Sequence, residues 1–268
     1  MTPKIFTTVI NQYLPEPHAS LLNGVLFGID LKTTKEFYEQ LKIVGLLHLV
    51  VLSGINITLL ASITAQVTHF FSKKISILIT IFIIIFFVIF VGIKAPILRA
   101  AFMSILTFVA YYTGRKNYSL YALFLSFIFS LLIFPKWLRS ISFQLSYAAT
   151  LGIILFGEKK IKKSKNNLIN FYYQIKSDFK TSIAAQIFTA PIIFIYFKQI
   201  SLISPIANIT ISFLIPFLMI LGFLMAILGK INFYLGLPFA WVCYLILSYM
   251  VWVVETLSKI PRIFISFN

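Results

Sequence analysis

Acidic and metal-binding side chains are scarce in this sequence. There are seven Asp and Glu, three His and one Cys, Cys243. A single cysteine cannot form an intramolecular disulfide. The histidines are scattered along the chain, and the patterns HExxH and GxxxxGK[ST] are both absent, which excludes zinc proteases of that class and P-loop ATPases. We therefore expect no metal site, no cofactor and no catalytic residue.

Charged residues of either sign make up only 11% of the chain, whereas globular domains carry about a quarter. Hydrophobic residues reach 60%, and the mean hydropathy is +0.96, so soluble folds are excluded and a polytopic membrane protein is predicted. The N-terminus lacks the features of a signal peptide, so the first span is expected to direct insertion. The net charge of +16 indicates either an anionic partner such as nucleic acid or loop lysines on the cytoplasmic side.

Long apolar runs dominate the chain. Because a helix needs about 20 residues to cross the hydrocarbon core, the sequence predicts about eight spans, within a range of about seven to nine. They cover residues 43–70, 75–92, 96–112, 119–134, 141–156, 182–197, 203–228 and 235–257. The first and the seventh are long and interrupted by Gly or Pro, which is typical of broken or re-entrant helices. The predicted fold class is an all-α, polytopic integral membrane helix bundle.

The N-terminal residues 1–42 are of mixed character, and residues 31–42 have the spacing of an amphipathic helix. We expect residues 1–42 to form an amphipathic segment that lies on the membrane or against the mouth of the bundle. The transmembrane domain would then comprise residues 43–268. The most basic segment, residues 158–180 with KKIKKSK, is predicted to be cytoplasmic, which with eight spans puts both termini outside the cytoplasm.

The first apolar run contains GLLHLVVLSGIN, residues 45–56, with polar groups where a simple span would have Leu or Ile. The polar residues are His48, Ser53 and Asn56, and the small Gly54 stands among them. A bilayer core offers no water, so each polar group needs a protein partner or a wet cavity. On an ideal helix Gly45, His48, Leu52, Ser53 and Asn56 share a face about 140° wide. This small and polar face is predicted to line something. His48 and Ser53 are too far apart on that face to form a catalytic pair.

Polar side chains recur inside four later spans. They are Arg99, Gln144, Ser146, Tyr147, Gln186 and Asn208. The Arg99 guanidinium keeps its charge, so it either snorkels to the interface or faces an aqueous path and meets phosphates. The uncharged groups either cement helix packing or line a hydrated interior. Pro205 and Pro216 are predicted to break the helix around Asn208.

Several stretches of this chain, in order, resemble signatures of one family, the ComEC-type competence proteins. They are NGVLFGI (23–29), HLVVLSGINI (48–57), APILRAAFM (95–103), FPKWLRSISFQLSYAATLGI (134–153) and the run from AAQIFTAP to PFLMILG (184–222). Two positions depart from the family pattern: Asn56 replaces a second histidine and Phe134 replaces an aspartate before Pro135.

The resemblance implies a multi-pass channel in the bacterial inner membrane that admits single-stranded DNA during transformation. The implied partners are single-stranded DNA, the lipid bilayer and separate chains that act as nuclease, DNA receptor and cytoplasmic ATPase motor. The resemblance is also compatible with an oligomer of this chain. Full-length relatives add an OB-like domain and a nuclease domain. This sequence has neither, so we expect the channel module alone and no enzyme activity.

A strand with one charge per nucleotide would need a polar lumen to pass the bilayer. The residues expected to line it or contact DNA are His48, Ser53, Gly54, Asn56, Arg99, Gln144, Ser146, Tyr147, Gln186 and Asn208. Two other interpretations stay open: a channel or transporter for another solute on the same fold, and a non-transporting membrane scaffold.

Overall fold

Twelve α-helices and one pair of short strands are present in the computed structural model, which describes residues 3–47, 54–157, 167–260 and 264–266. The helices are α1 (Lys4–Tyr13), α2 (His18–Phe27), α3 (Lys35–Val44), α4 (Gly54–Val67), α5 (Lys73–Val91), α6 (Ala95–Tyr112), α7 (Ser119–Ile133), α8 (Ile141–Phe156), α9 (Asn167–Phe197), α10 (Ser204–Ser212), α11 (Ile215–Ile231) and α12 (Phe233–Ser258). Strands β1 (Gln199–Ser201) and β2 (Phe264–Ser266) pair antiparallel. The all-α class is confirmed.

Several of these helices are suited to a membrane. α5, α6, the Tyr173–Tyr196 part of α9 and α12 are long and apolar enough to cross one, and α10 and α11 qualify together as a pair bent by 47°. α7 and α8 are apolar but shorter, with 15 and 16 residues. The predicted membrane bundle with a broken helix is confirmed.

The break in the seventh predicted span has a simple cause. Pro205 and Pro216 lie in the first turns of α10 and α11, where a missing N–H costs no helical hydrogen bond. Two short helices therefore replace one long one, and Asn208 lies in the first of them.

The first predicted span, residues 43–70, is not one helix. Helix α3 ends at Val44, and Gly45 follows with φ +79°, a left-handed conformation that favours glycine. A Cβ on Gly45 would lie 2.8 Å from Cβ of Ser204, so glycine also permits the approach of α10. Ile43 and Val44 thus belong to α3 rather than to the span, and helix is described again at Leu47 and from Gly54.

The N-terminal segment has two different parts. α1 and α3 are amphipathic, as expected: α1 buries Ile10, and α3 buries Phe37, Leu41 and Val44. Helix α2 instead buries residues 19–27 completely. The expectation of a segment on the membrane or at the bundle mouth therefore does not describe α2, and the proposed division after residue 42 falls inside α3.

Helix α2 packs between α11 and α12 in the main core. Gly222 of α11 makes room for it, because a Cβ there would lie 2.9 Å from Cδ1 of Leu26. Two of its buried polar side chains donate to neighbouring segments: Ser20 Oγ to the Lys32 carbonyl at 3.0 Å, and Asn23 Nδ2 to Asn11 Oδ1 at 2.8 Å. Close packing between helices is the main attraction available inside a membrane, so α2 is an integral part of the bundle.

Tyr13 joins α1 to α12. Its ring stacks on Phe233 with centroids 4.6 Å apart, and its hydroxyl donates to the Phe233 carbonyl at 2.6 Å. A Cβ on Gly229 or Gly236 would lie 2.7 or 2.5 Å from this tyrosine. The two glycines therefore form a notch for the ring.

Candidate functional site

Arg99 lies in the second turn of α6 and is buried, with 9% of its surface exposed. Its Nη1 donates a short hydrogen bond to the Ser146 carbonyl on α8. Its Nε is also buried but has no hydrogen-bond partner among the described residues. The chain has no Asp or Glu between Gln40 and Gly157. Arg99 is therefore a cation inside the bundle that is held by a neutral carbonyl.

Small residues create the space for this guanidinium. A Cβ on Gly54, at the start of α4, would lie 2.8 Å from Arg99 Nη2 and 3.3 Å from Cβ of Ala100. Ala100 and Ala101, which follow Arg99, are also buried. Close approach of α4 to α6 therefore depends on glycine and alanine, as is common in membrane helix contacts.

Tyr147 fixes the helix segment that carries the Arg99 acceptor. Its hydroxyl donates to Ser126 Oγ at 3.2 Å and lies 3.2 Å from Ser130 Oγ, both on α7. Its ring contacts Phe143 and Phe127 with centroids 4.4 and 5.5 Å away. The two serines are absent from the sequence-based site, although their spacing of four residues in an apolar helix could have indicated them. They hold α8 in place next to Ser146.

Asn56 is buried, with 2% exposure, and its Nδ2 donates to the Val25 carbonyl of α2 at 2.6 Å. Lys94 Nζ donates to the Gly28 carbonyl at 2.6 Å. Carbonyls at a helix C-terminus lack partners within the helix and favour a nearby cation. Asn56 and Lys94 therefore cap the end of α2 with groups from the α4–α6 region.

Gln186 and Asn208 act near the broken helix. Gln186 Nε2 donates to the Ser201 carbonyl at 2.7 Å, and Asn208 Nδ2 donates to Ser182 Oγ at 3.0 Å. Ser204 Oγ donates to the Gly45 carbonyl at 3.4 Å. These bonds join α9 to β1 and α10, and α10 to the end of α3.

The predicted site residues thus fall into several groups. Gly54, Arg99, Ser146 and Tyr147 lie together where α4, α6 and α8 meet. Asn56 bonds to α2, and Gln186 and Asn208 bond separately around α9. Gln144 donates to the Leu138 carbonyl at 2.9 Å on the surface. His48 and Ser53 lie outside the described residues.

A depression of about 380 Å³ lies elsewhere, at the N-terminal segment. Glu16, Pro17, Lys32, Thr33 and Thr34 line it, and it contains none of the predicted site residues. In the described part of the chain no three His, Cys, Asp or Glu side chains come together as a metal-binding group.

A bundle of long apolar helices, with a broken helix pair and polar groups bonded across helix contacts, defines a helical membrane protein. The family model described as "Competence protein" matches residues 25–268, and the chain belongs to this family. The resemblance drawn from the sequence motifs is confirmed, and membership indicates involvement in DNA uptake during competence. No curated protein and no solved structure matches the chain.

Proposed function

We propose that this protein is a multi-pass channel of the bacterial cytoplasmic membrane that conducts single-stranded DNA inward during transformation. Membership of the competence family supports the process, and the long apolar helices support a membrane location. In this proposal the chain performs no covalent chemistry. A nuclease, a DNA receptor and an ATPase motor would be separate chains.

The buried guanidinium of Arg99 is the observation that carries the proposal. A charged arginine costs about 2.5 to 3.5 kcal/mol or more at the centre of a membrane helix. Arg99 lies in the second turn of α6 but is buried in the bundle, so its charge calls for a compensating role. The ion pair formed within the described residues is Lys42 with Glu39, well away from Arg99 in the sequence. A phosphate offers a guanidinium both the counter-charge and acceptors that match its planar donors.

The surrounding geometry fits a transient phosphate contact. Nη1 is anchored on the Ser146 carbonyl, while the buried Nε has no bond to lose when an anion arrives. A neutral anchor holds the cation in place without neutralising it, so phosphates could pass from one contact to the next. Gly54 packs against Nη2 without a side chain, and so adds no group that would compete with a phosphate for the guanidinium. His48 and Ser53, which precede it in sequence, are proposed to line the same passage.

A second candidate, a non-transporting membrane scaffold, is favoured by a different observation. Asn56, Gln186 and Asn208 each have a protein partner within 3.0 Å. Hydrogen bonds of this kind hold helices together in membranes without any water-filled path. In the channel these three residues would shape the wall rather than contact DNA.

Replacement of Arg99 distinguishes the two candidates. Arg99→Leu is expected to abolish uptake of fluorescently labelled DNA into cells, while Arg99→Lys, which keeps the charge but loses the planar fork, retains part of it. The measurement is labelled DNA inside the cell, normalised to membrane-inserted protein. Lys136→Gln, at an exposed cation, is the matched control with unchanged uptake.

Normal uptake by a well-inserted Arg99→Leu protein would refute the role of Arg99 and favour the scaffold. Unchanged DNA uptake after deletion of the whole chain would favour transport of another solute.

A further inference from the structure

One end of the α5–α6 helix pair carries lysines placed over tyrosine rings. Lys73 Nζ lies 3.7 Å from the ring centroid of Tyr111, and Lys74 Nζ lies 5.8 Å from that of Tyr112. The lysines are the first two residues of α5 and the tyrosines are the last two of α6, so all four lie at the same end of the helix pair. All four residues are exposed.

The same end continues into the turn after α6. Arg115 and Lys116 are exposed there, which makes four cations beside two aromatic rings. We call this set, Lys73, Lys74, Tyr111, Tyr112, Arg115 and Lys116, the lysine–tyrosine face. The helices α4 to α8 contain no Asp or Glu, so the face has no carboxylate from the helices around it. Its charge is therefore available to an outside anion.

Apolar side chains protrude next to these cations. Phe70 is 84% exposed, and Phe71 beside it is exposed too. They precede α5, the most apolar of the candidate spans. Aromatic rings next to lysines at the end of a membrane helix are suited to the boundary between acyl chains and headgroups.

We propose that the lysine–tyrosine face binds the phosphate headgroups of anionic phospholipids. Lysine and arginine supply the counter-charge for the phosphates, while Phe70 and Phe71 enter the upper acyl region. The position at the end of two apolar helices places these cations where headgroups lie in a bilayer.

Single-stranded nucleic acid fits this face less well, although it carries the same phosphates. Bases would need free aromatic faces for stacking. The Tyr111 ring already has the Lys73 ammonium over it. The adjoining Phe70 and Phe71 directly precede α5, an apolar candidate span, where rings are suited to acyl chains. The observations therefore favour lipid.

The test is a lipid titration of the purified full-length chain in a neutral detergent. Native mass spectrometry would count bound phosphatidylglycerol and phosphatidylcholine across the titration. Cations near an anionic lipid surface each contribute about fivefold in affinity. We expect a preference for phosphatidylglycerol that falls at least about fivefold in the variant Lys73→Gln/Lys74→Gln.

The matched control removes two exposed cations from the other end of the bundle, Lys136→Gln/Arg139→Gln, in the short turn between α7 and α8. It is expected to keep the wild-type preference. Thermal unfolding in the same detergent shows that both variants are folded, and Tyr111→Leu tests the ring contact separately, with a smaller loss expected.

Three results would overturn the proposal. One is equal binding of the two lipids by the wild-type chain. Another is an equal loss in the two double variants, which would make the effect one of net charge. The third is displacement of phosphatidylglycerol by a short oligothymidylate at equimolar concentration, which would assign the face to nucleic acid. The outcome is independent of Arg99, because DNA uptake is not measured.

Discussion

At the scale of single residues, the polar groups inside this bundle behave in two ways. Thr64, Thr80 and Thr150 each donate to the carbonyl four residues earlier in their own helix, so they need no neighbour. Amides and the guanidinium have more donors than their own helix can accept, and they reach other helices instead. Asn56 and Arg99 therefore depend on tertiary contacts in a way that the threonines do not.

The contact between Gly54 and Arg99 can be tested with a double-mutant cycle. Gly54→Ala places a methyl carbon 2.8 Å from Arg99 Nη2, closer than packed atoms allow, so we expect the guanidinium to be displaced and DNA uptake to fall about tenfold. A lysine at position 99 lacks Nη2, so Gly54→Ala should have little further effect in the Arg99→Lys background. Labelled DNA uptake per inserted protein is the measurement.

If the loss of uptake in the double variant combines the losses of the two single variants in full, Gly54 and Arg99 act independently. In that case the close approach of α4 to α6 would be a packing feature only.

At the scale of helices, α8 and α9 form a very close contact. A Cβ on Gly152 of α8 would overlap the Ala184 carbonyl of α9 and would lie 2.8 Å from the Phe188 ring. Because backbone atoms cannot move aside like the end of a long side chain, this crossing requires glycine. The contact also fixes α8, which carries the Arg99 acceptor.

Gly152→Val is therefore expected to destabilise the protein by about 1 to 3 kcal/mol, as overpacked contacts do. The measurement is thermal unfolding in detergent, in which the midpoint should fall. Leu155→Val, an exposed position on the same helix, is the control and should change the midpoint little. An unchanged midpoint for Gly152→Val would mean that α8 and α9 can separate without cost.

At the scale of the whole molecule, the N-terminal segment is part of the bundle rather than an appendage. Helix α2 is buried on all sides, whereas α1 buries Ile10 alone. The contribution of each to assembly should therefore differ, although both precede the predicted spans.

Removal of residues 1–34 should leave the α11 and α12 faces without α2 and give aggregated protein. Removal of residues 1–12 takes away most of α1 and should leave a monodisperse but less stable chain. Size-exclusion chromatography in detergent compares the two. A monodisperse chain without residues 1–34 would show that α2 is dispensable for the core.

The sequence predicts the bounds of long helices closely, but it does not predict the short buried helix α2. Residues 141–156 match α8 because Pro, Lys and Arg precede the apolar run and Gly ends it. The burial of α2 could not be predicted in this way, because ten residues are too few for a span and its Ser20 and Asn23 resemble surface residues.

The candidate site was predicted as a set of residue types, and its geometry was not. Arg99 stands out in an apolar run because its charge is costly there. That Arg99 would meet Gly54 and Ser146, each more than 40 residues away, depends on which helices are neighbours, and no periodicity within a helix encodes this. The hydrogen bond between Asn208 and Ser182 could not be predicted for the same reason.

The burial of α2 against α11 and α12 has a consequence for biosynthesis. The ribosome makes α2 some two hundred residues before α11 and α12, against which it packs. During that interval the nascent chain must hold a short, partly polar helix at the insertion machinery, or shield it with a membrane chaperone. Burial of α2 therefore has to wait until α11 and α12 have been made.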